Sequence, residues 1–436
     1  MHRRATRRRR MTSVPIGSPA IALERQLAVL DRRTDPDGWA LLAGRVALAR
    51  AELGDPSGAL ALIEPAAAVL TAARAPLEHG RLLLIAAAAH RAQGAGAQAF
   101  DLFQRAAAML DGRASAGELA AARSNVGLVA AELGRVADAL GAFDAALSAA
   151  PDEDRRLRAS LHVNRGQVHL ASPGAASLSA AEADFRSAAA LADRTAAPVQ
   201  HGQAKNGLGA IAQARGDLAG AAVHFEAAMA TFTPTQFPFH HAVASHNLGL
   251  ALSDPNFPVV VRQRALVAFE GALTLFDPQR QRPQWAESYR RATDLEASLA
   301  VDLPDWSRDD HFAALLAEVS ESDRIALART RLGHIAQRPD PHRRRAFALL
   351  AAAGLRRGPA VAKVVLRCTV TILMELPEDV LQSGLSGQMD AHHALLDPRL
   401  IEDADRVLDE AIHDLLHGPQ RVRVRDLLEV MGWQRP

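Results

Sequence analysis

A repeat of about forty residues constrains the fold of this chain more than any other feature. A small residue recurs in the middle of successive helical segments, with steps of 40, 40, 39, 43 and 40 residues. These anchor residues are Ala47, Ala87, Gly127, Gly166, Gly209 and Gly249. Self-similarity at such a period is typical of arrays in which each unit packs only on its neighbours. The spacing therefore predicts about six units of a solenoid.

Each unit has an internal order that predicts two helices joined by a turn. A large apolar residue follows four of the anchors by sixteen residues, and follows the other two by three or four residues more. The extra residues fall at 172–179 and 253–261, where a turn is expected. Between anchor and large residue the chain usually has a glycine, which readily takes the left-handed conformation that ends helices. The large residues are Ile63, Phe103, Phe143, Phe185, Phe225 and Phe269, and the glycines are Gly54, Gly94, Gly134 and Gly216.

This order resembles the tetratricopeptide repeat over roughly residues 38–275, with close matches in SNVGLVAAELGRVADALGAFDAAL (124–147) and GLGAIAQARGDLAGAAVHFEAAM (207–229). The long step is similar to that of kinesin light chains and MalT-type regulators. The family's aromatic residue in the first helix is missing, and Arg50, His90, Ala130 and His169 stand in its place. The resemblance implies an all-α protein: a right-handed superhelical solenoid of helix-turn-helix repeats, followed here by an irregular helical C-terminal domain.

Composition agrees with a helical protein and excludes several classes of site. Hydrophobic residues make up 49% of the chain but aromatic ones only 4%, so alanine and leucine, both good helix formers, dominate. The arginine and alanine bias is typical of a GC-rich bacterial genome. Cys368 is the only cysteine, which rules out an intramolecular disulfide and a cysteine-based zinc site. The net charge of +1 gives no reason to expect nucleic acid as a partner, and the residues indicate no cofactor.

Changes in composition predict four segments. Residues 1–20 form an Arg-rich disordered tail, 21–276 the solenoid, 277–303 a helix that caps it, and 304–436 the helical C-terminal domain. Within the last segment we expect helices near 308–319, 321–336, 341–355, 359–376, 399–417 and 421–432. Breaks are expected at 337–342, 377–391 and 418–419, where Pro, Gly and Asp are frequent.

The first helices of such repeats line a groove that commonly binds partners. Asparagines recur two or three residues before four anchors, and an amide can both donate to and accept from an extended peptide backbone. The predicted peptide-binding residues are Arg81, Arg91, Ser124, Asn125, Leu128, Asn164, Gln167, Gln203, Asn206, Gln213, His246, Asn247 and Leu250. The alternative for the asparagines is that they brace the neighbouring repeat. The groove lacks a basic cluster, so the expected ligand is mostly apolar and polar-neutral.

These observations favour a cytoplasmic, non-enzymatic scaffold or adaptor that binds a peptide or protein segment, with a C-terminal domain that adds a contact or forms a homodimer. No apolar run has membrane-spanning length. One alternative is an effector-sensing regulator that acts on transcription through a partner or the Arg-rich segment 340–358. A remote alternative is a zinc hydrolase, because His413 and His417 lie four residues apart, as metal ligands on one helical turn do.

Overall fold

The computed structural model describes residues 19–303, 306–319, 321–395 and 398–433. Within these ranges all regular elements are helices, twenty-one in number, and there is no strand. The all-α fold predicted from the sequence is therefore confirmed. The chain forms two compact units, which meet in sequence between Gly207 and Leu208. Residues 1–18 of the predicted Arg-rich tail lie outside the described ranges, and the four-segment division stays a prediction.

Unit 1, which ends at Gly207, consists of one leading helix and a series of paired helices. Consecutive helices pack as hairpins, α2 with α3, α4 with α5, α6 with α7 and α8 with α9. The helices are α1 Pro19–Val29, α2 Pro36–Glu52, α3 Pro56–Val69, α4 Pro76–Ala92, α5 Gly96–Leu110, α6 Ala116–Glu132, α7 Val136–Ala149, α8 Arg155–Ala171, α9 Ala175–Leu191 and the first part of α10 Pro198–Ala214.

Glycines end the first helix in the first three hairpins. Gly54, Gly94 and Gly134 have φ angles of +81°, +79° and +72°. An L-residue with a side chain rarely takes this conformation, so glycine allows the chain to reverse within a few residues. The turn between α8 and α9, where the sequence has extra residues, instead places Gly174 at φ +109° as the N-cap of α9.

The anchors and the large residues form one packing unit. A Cβ atom at Gly127 would lie 2.8 Å from the ring of Phe143, and one at Gly166 would lie 3.1 Å from the ring of Phe185. Both rings are buried. The small residue thus lets the second helix approach, and the ring fills the remaining space, because protein interiors are packed without voids.

A buried ion pair braces the fourth hairpin. The Asp184 carboxylate, 3% exposed, accepts hydrogen bonds from Arg165 at 2.6 Å and 3.0 Å and lies 2.8 Å from Nδ1 of His162. Burial alone would raise the pKa of Asp184, but the hydrogen bonds from His162 and Arg165 outweigh it and hold the pKa below its usual value.

We expect Asp184→Asn to lower the free energy of unfolding by about 1–3 kcal/mol at neutral pH, because Arg165 loses a charged acceptor. A depressed carboxyl pKa stabilises the fold above the unfolded-state pKa, and this contribution is lost as pH falls through the folded-state value. The difference between wild type and variant should therefore shrink below about pH 4. Urea denaturation of both proteins at pH 7 and pH 3 measures the difference in the free energy of unfolding. A difference that stays constant with pH would contradict a depressed pKa of Asp184.

Unit 2, from Leu208, begins with two more repeats and continues into helices of irregular arrangement. Its helices are the rest of α10, α11 Leu218–Thr231, α12 Pro238–Leu252, α13 Val259–Leu275, α14 Arg282–Asp302, α15 Arg308–Glu318, α16 Glu321–Ala336, α17 His342–Arg356, α18 Pro359–Leu373, α19 Glu378–His393, α20 Pro398–Leu415 and α21 Gly418–Val430. None of the described helices is both long and apolar enough to cross a bilayer.

The repeat packing extends to α13 and is followed by a covering helix. The ring of Phe225 lies against Gly209, and that of Phe269 lies against Gly249. Helix α14 buries Leu295 and Leu299 against the same core. From α15 on, helices that are not consecutive also pack against each other, as α17 with α19 and α18 with α20. Their core also includes Val267 of α13, so the last repeat and the C-terminal helices of unit 2 share hydrophobic packing.

The expected break at 377–391 is wrong, because most of this segment is helix α19. Its glycines are sites of close helix approach rather than helix breakers. A Cβ at Gly387 would lie 2.6 Å from the carbonyl oxygen of Arg344, and one at Gly384 would lie 2.5 Å from Leu373. A glycine inside a helix lowers the stability of the helix by about 1 kcal/mol relative to alanine, and tertiary packing outweighs this cost in α19.

Candidate functional site

Three consecutive first helices of unit 1 line one groove. Position −2 from the anchor is Arg45 in α2, Ile85 in α4 and Asn125 in α6, and all three side chains line the same cavity of about 860 Å³. The shared register places equivalent positions of successive repeats on the same face. We call this cavity the unit 1 groove.

The floor of the unit 1 groove is apolar. Leu41 and Leu48 of α2 lie two helical turns apart, about 10 Å along the axis, and are 48% and 47% exposed. Ile85 of α4 lies opposite them, half-buried. The groove therefore offers water-exposed apolar surface inside a concavity, the usual character of a binding site.

Ion pairs between neighbouring repeats form the rim. Arg81 of α4 donates two hydrogen bonds, of 2.7 Å and 2.9 Å, to Glu118 of α6. Arg91 of α4 pairs in the same way with Glu132 of α6. The hydrogen bonds to Arg81 hold the pKa of Glu118 below its usual value. Both arginines thus connect two repeats, and their charges are already compensated.

Three of the side chains at position −2 in unit 1 are polar and remain available to a ligand. The guanidinium of Arg45 and the amides of Asn125 and Asn164 make no hydrogen bond or ion pair with any described residue. Asn125 lines the unit 1 groove, half-buried. Its amide makes no hydrogen bond to a neighbouring repeat within the described structure.

The other predicted residues of unit 1 differ in accessibility. Ser124 is buried, Leu128 and Gln203 are half-buried, and Gln167 is exposed. Asn206 is half-buried and already has an interaction partner. None of these lines the unit 1 groove as Arg81, Arg91 and Asn125 do.

The predicted residues of unit 2 are mostly engaged within the protein. Nδ1 of His246 lies 2.8 Å from the hydroxyl of Ser288, and burial lowers the pKa of this histidine. Asn247 has an interaction partner, and Leu250 packs against the core of α11–α14. Gln213 is half-buried near the end of α10.

Sequence reasoning missed Leu41, Arg45 and Leu48, which belong to the first repeat. The signal was present, because these residues stand at −6, −2 and +1 from Ala47. The predicted Arg81, Asn125 and Leu128 hold the same offsets from their own anchors. Extending the register to the first repeat would have found this part of the groove.

The premise of the zinc alternative is wrong. Helix α20 ends at Leu415, and His417 is the N-cap of α21, so the two histidines do not share one helical face. His413 is 67% exposed, and the neighbouring Asp414 pairs with Arg367. Among the residues that the structure describes, no cluster of three His, Cys, Asp or Glu side chains could hold a metal ion.

Most arginines of the Arg-rich segment 340–358 form ion pairs with carboxylates of the same unit. Arg356 and Arg357 pair with the buried Asp310, Arg344 pairs with Asp390, and Arg343 pairs with Asp379. Arg345 is exposed and has no partner in the described part of the chain. Four of the five guanidinium groups of 340–358 therefore serve ion pairs within unit 2.

No protein-family model matches the sequence, and no curated protein is significantly similar to it. Among solved structures, the chain is similar to a signal transduction ATPase with numerous domains (STAND protein) with a tetratricopeptide repeat sensor, from Pyrococcus horikoshii. The TM-score is 0.42 at 14% identity, over 84% of this chain and 51% of that one. The chain thus spans about half the length of that protein.

Two further solved structures are similar to this chain. The structure of Naa15/Naa10 bound to HypK-THB gives a TM-score of 0.28 at 13% identity, over 94% of this chain and 60% of that one. The tetratricopeptide domain of P58(IPK) gives 0.24 at 14% identity, over 89% and 95%. The predicted resemblance to tetratricopeptide proteins is confirmed at the level of the fold, where small anchors and large rings pack consecutive helices into repeated hairpins.

Proposed function

We propose that the protein is a non-enzymatic interaction scaffold that binds an extended peptide segment of a partner protein in the unit 1 groove. The observation that carries the proposal is the apolar surface of exposed Leu41 and Leu48 and half-buried Ile85 in one cavity with Asn125, whose amide has no partner among the described residues. Large apolar side chains in a concavity gain free energy when a ligand covers them, by about 25 cal/mol per Å². Binding then needs no chemical step.

The groove selects for a particular kind of segment. Its apolar floor fits one or two apolar side chains of the ligand, and the Asn125 amide can donate to and accept from the ligand backbone. Arg81 and Arg91 already hold glutamates, so an acidic ligand would have to compete with Glu118 and Glu132. We therefore propose a segment that is apolar and neutral-polar rather than strongly acidic.

The proposal is tested with peptides selected from a displayed random library on the immobilised full-length protein. We expect the selected peptides to carry apolar anchors, and Leu48→Asp to weaken their binding at least about tenfold, because a buried carboxylate would face an apolar side chain. Fluorescence anisotropy with labelled peptides measures the dissociation constants. Since Leu48 is 47% exposed, the substitution should leave the fold intact.

Val223→Asp is the matched control, because Val223 is 64% exposed and lies on α11, outside the unit 1 groove. Binding to this variant should equal that of the wild type. Asn125→Ala tests the amide contact and should weaken binding by a smaller factor, about threefold to tenfold. Peptides that bind Leu48→Asp and wild type equally would refute the unit 1 groove as the binding site. A library that yields no peptide would refute peptide binding.

No described observation favours action on transcription, since most arginines of 340–358 are paired. A homodimer through the C-terminal helices and a cytoplasmic location rest on the sequence alone.

A further inference from the structure

A second cavity lies within unit 2, where helices α13 to α17 meet. Its volume is about 470 Å³, and α13, α14, α15, α16 and α17 all contribute to its lining. Cavities of this size commonly hold small molecules. We call it the α13–α17 cleft, and nothing in the proposed peptide binding uses it.

The lining of the cleft includes an aromatic pair and several aliphatic side chains. The rings of Trp285 and Tyr289 on α14 stack, with centroids 5.3 Å apart and planes within 10° of parallel. Trp285 packs against the cluster that contains Phe276, which fixes the stack in place. Tyr289 remains 49% exposed, and Leu349 on α17, which also lines the cleft, is 48% exposed. An apolar ring could cover both.

Charged groups of the cleft are compensated within the protein. Glu270 on α13 pairs with Arg331, and Arg331 also donates to Asp309 at 2.7 Å. Arg308 donates to Glu296 at 2.7 Å and lies 3.9 Å from Glu270. These pairs leave neither carboxylate of the lining without a cationic partner.

Arg338 is the exception. It follows α16, is exposed, lines the cleft, and has no hydrogen bond or ion pair from its side chain to any described residue. Of the three arginines in the lining, Arg308 pairs with Glu296 outside the lining and Arg331 pairs with Glu270 and Asp309, whereas Arg338 makes no ion pair with a described residue. A guanidinium with a planar fork of donors recognises carboxylates particularly well.

We propose that the α13–α17 cleft binds a small aromatic carboxylate, with its ring against Tyr289 and Leu349 and its carboxylate on Arg338. The aromatic residues supply a stacking surface, and the Arg338 guanidinium supplies the counter-charge. The site lies in a different unit from the groove and takes a different ligand. If the cleft did not bind an aromatic carboxylate, the proposed peptide binding in the unit 1 groove would be unaffected.

The test titrates the full-length protein with N-acetyl-L-phenylalanine and with its amide, by isothermal calorimetry. The two probes share the ring and differ in the charge. We expect the acid to bind at least about tenfold more tightly than the amide, and Arg338→Gln to remove this preference. Arg345→Gln is the matched control, since it removes an exposed arginine whose side chain has no partner among the described residues and does not line the cleft. It should bind like the wild type.

A conservative variant, a folding check and a peptide probe complete the experiment. Arg338→Lys should retain part of the preference for the acid, and thermal melting by circular dichroism checks that each variant is folded. An octapeptide that ends in phenylalanine with a free carboxylate distinguishes the two sources of the same chemistry. Equal binding of this peptide supports a chain terminus as the ligand, and binding of the free acid alone supports a small molecule. Equal affinity for acid and amide, or no binding of the acid, would overturn the proposal.

Discussion

Phe143→Ala should lower the free energy of unfolding by about 3–5 kcal/mol, the range for removal of a buried phenylalanine ring. Phe143 is fully buried in the third hairpin, and its ring occupies the space above Gly127, where a Cβ would lie only 2.8 Å away. Truncation leaves a cavity between α6 and α7 that the backbone cannot close. Because each repeat of a solenoid relies on its neighbours, the loss should reach beyond this hairpin.

Urea denaturation followed by circular dichroism measures this effect as a lower transition midpoint. Val136→Ala is the control on the same helix, because Val136 is 41% exposed and its truncation should change the free energy by less than about 0.5 kcal/mol. A Phe143→Ala variant as stable as Val136→Ala would mean that the anchor–ring contact does not hold the repeat together.

Gly387→Ala should destabilise the protein by about 3 kcal/mol, at the upper end of the range for overpacking. A methyl group at Gly387 would lie 2.6 Å from the carbonyl oxygen of Arg344 and 2.9 Å from the backbone nitrogen of Ala348. Backbone atoms cannot move aside as a flexible side chain can. Helix α19 would therefore have to separate from α17, which would expose apolar surface of both.

Gly333→Ala is the matched control, since Gly333 lies inside α16 and a Cβ there would meet nothing within 4 Å. This substitution should stabilise the protein by about 0.5–1 kcal/mol, because alanine favours the helix more than glycine does. Chemical denaturation of both variants gives the comparison. If the two substitutions change stability in the same direction, the close approach of α17 and α19 is not the reason for Gly387.

The repeat could be predicted from the sequence because its packing partners keep a nearly constant separation. Gly127 and Phe143 are sixteen residues apart, as are Gly209 and Phe225, and the other two contacts of an anchor glycine with its phenylalanine differ only by the three or four extra residues at their turns. The turn glycines Gly54, Gly94, Gly134 and Gly216 are equally regular, because the left-handed conformation is required at the same point of these four hairpins. Local rules and tertiary packing agree in these hairpins.

The glycines of α19 had no such regularity. Gly384 and Gly387 meet Leu373 and Arg344, at separations that no repeat marks. A glycine that ends a helix and one that lets two helices touch look alike in a sequence without repeats. The asparagine series was likewise only partly informative, since Asn125 is unpaired within the described structure whereas Asn206 and Asn247 are engaged.

The positive and negative charges at the unit 1 groove balance, and this balance affects how fast a partner protein can bind. The lining has three arginines, Arg45, Arg81 and Arg91, and three glutamates lie in or against it, Glu78, Glu118 and Glu132. The opposite charges cancel at a distance, so the groove creates little field to attract a ligand through solution. A partner would then arrive by unassisted diffusion, at about 10⁵–10⁶ M⁻¹s⁻¹, and its rate of arrival would depend little on salt.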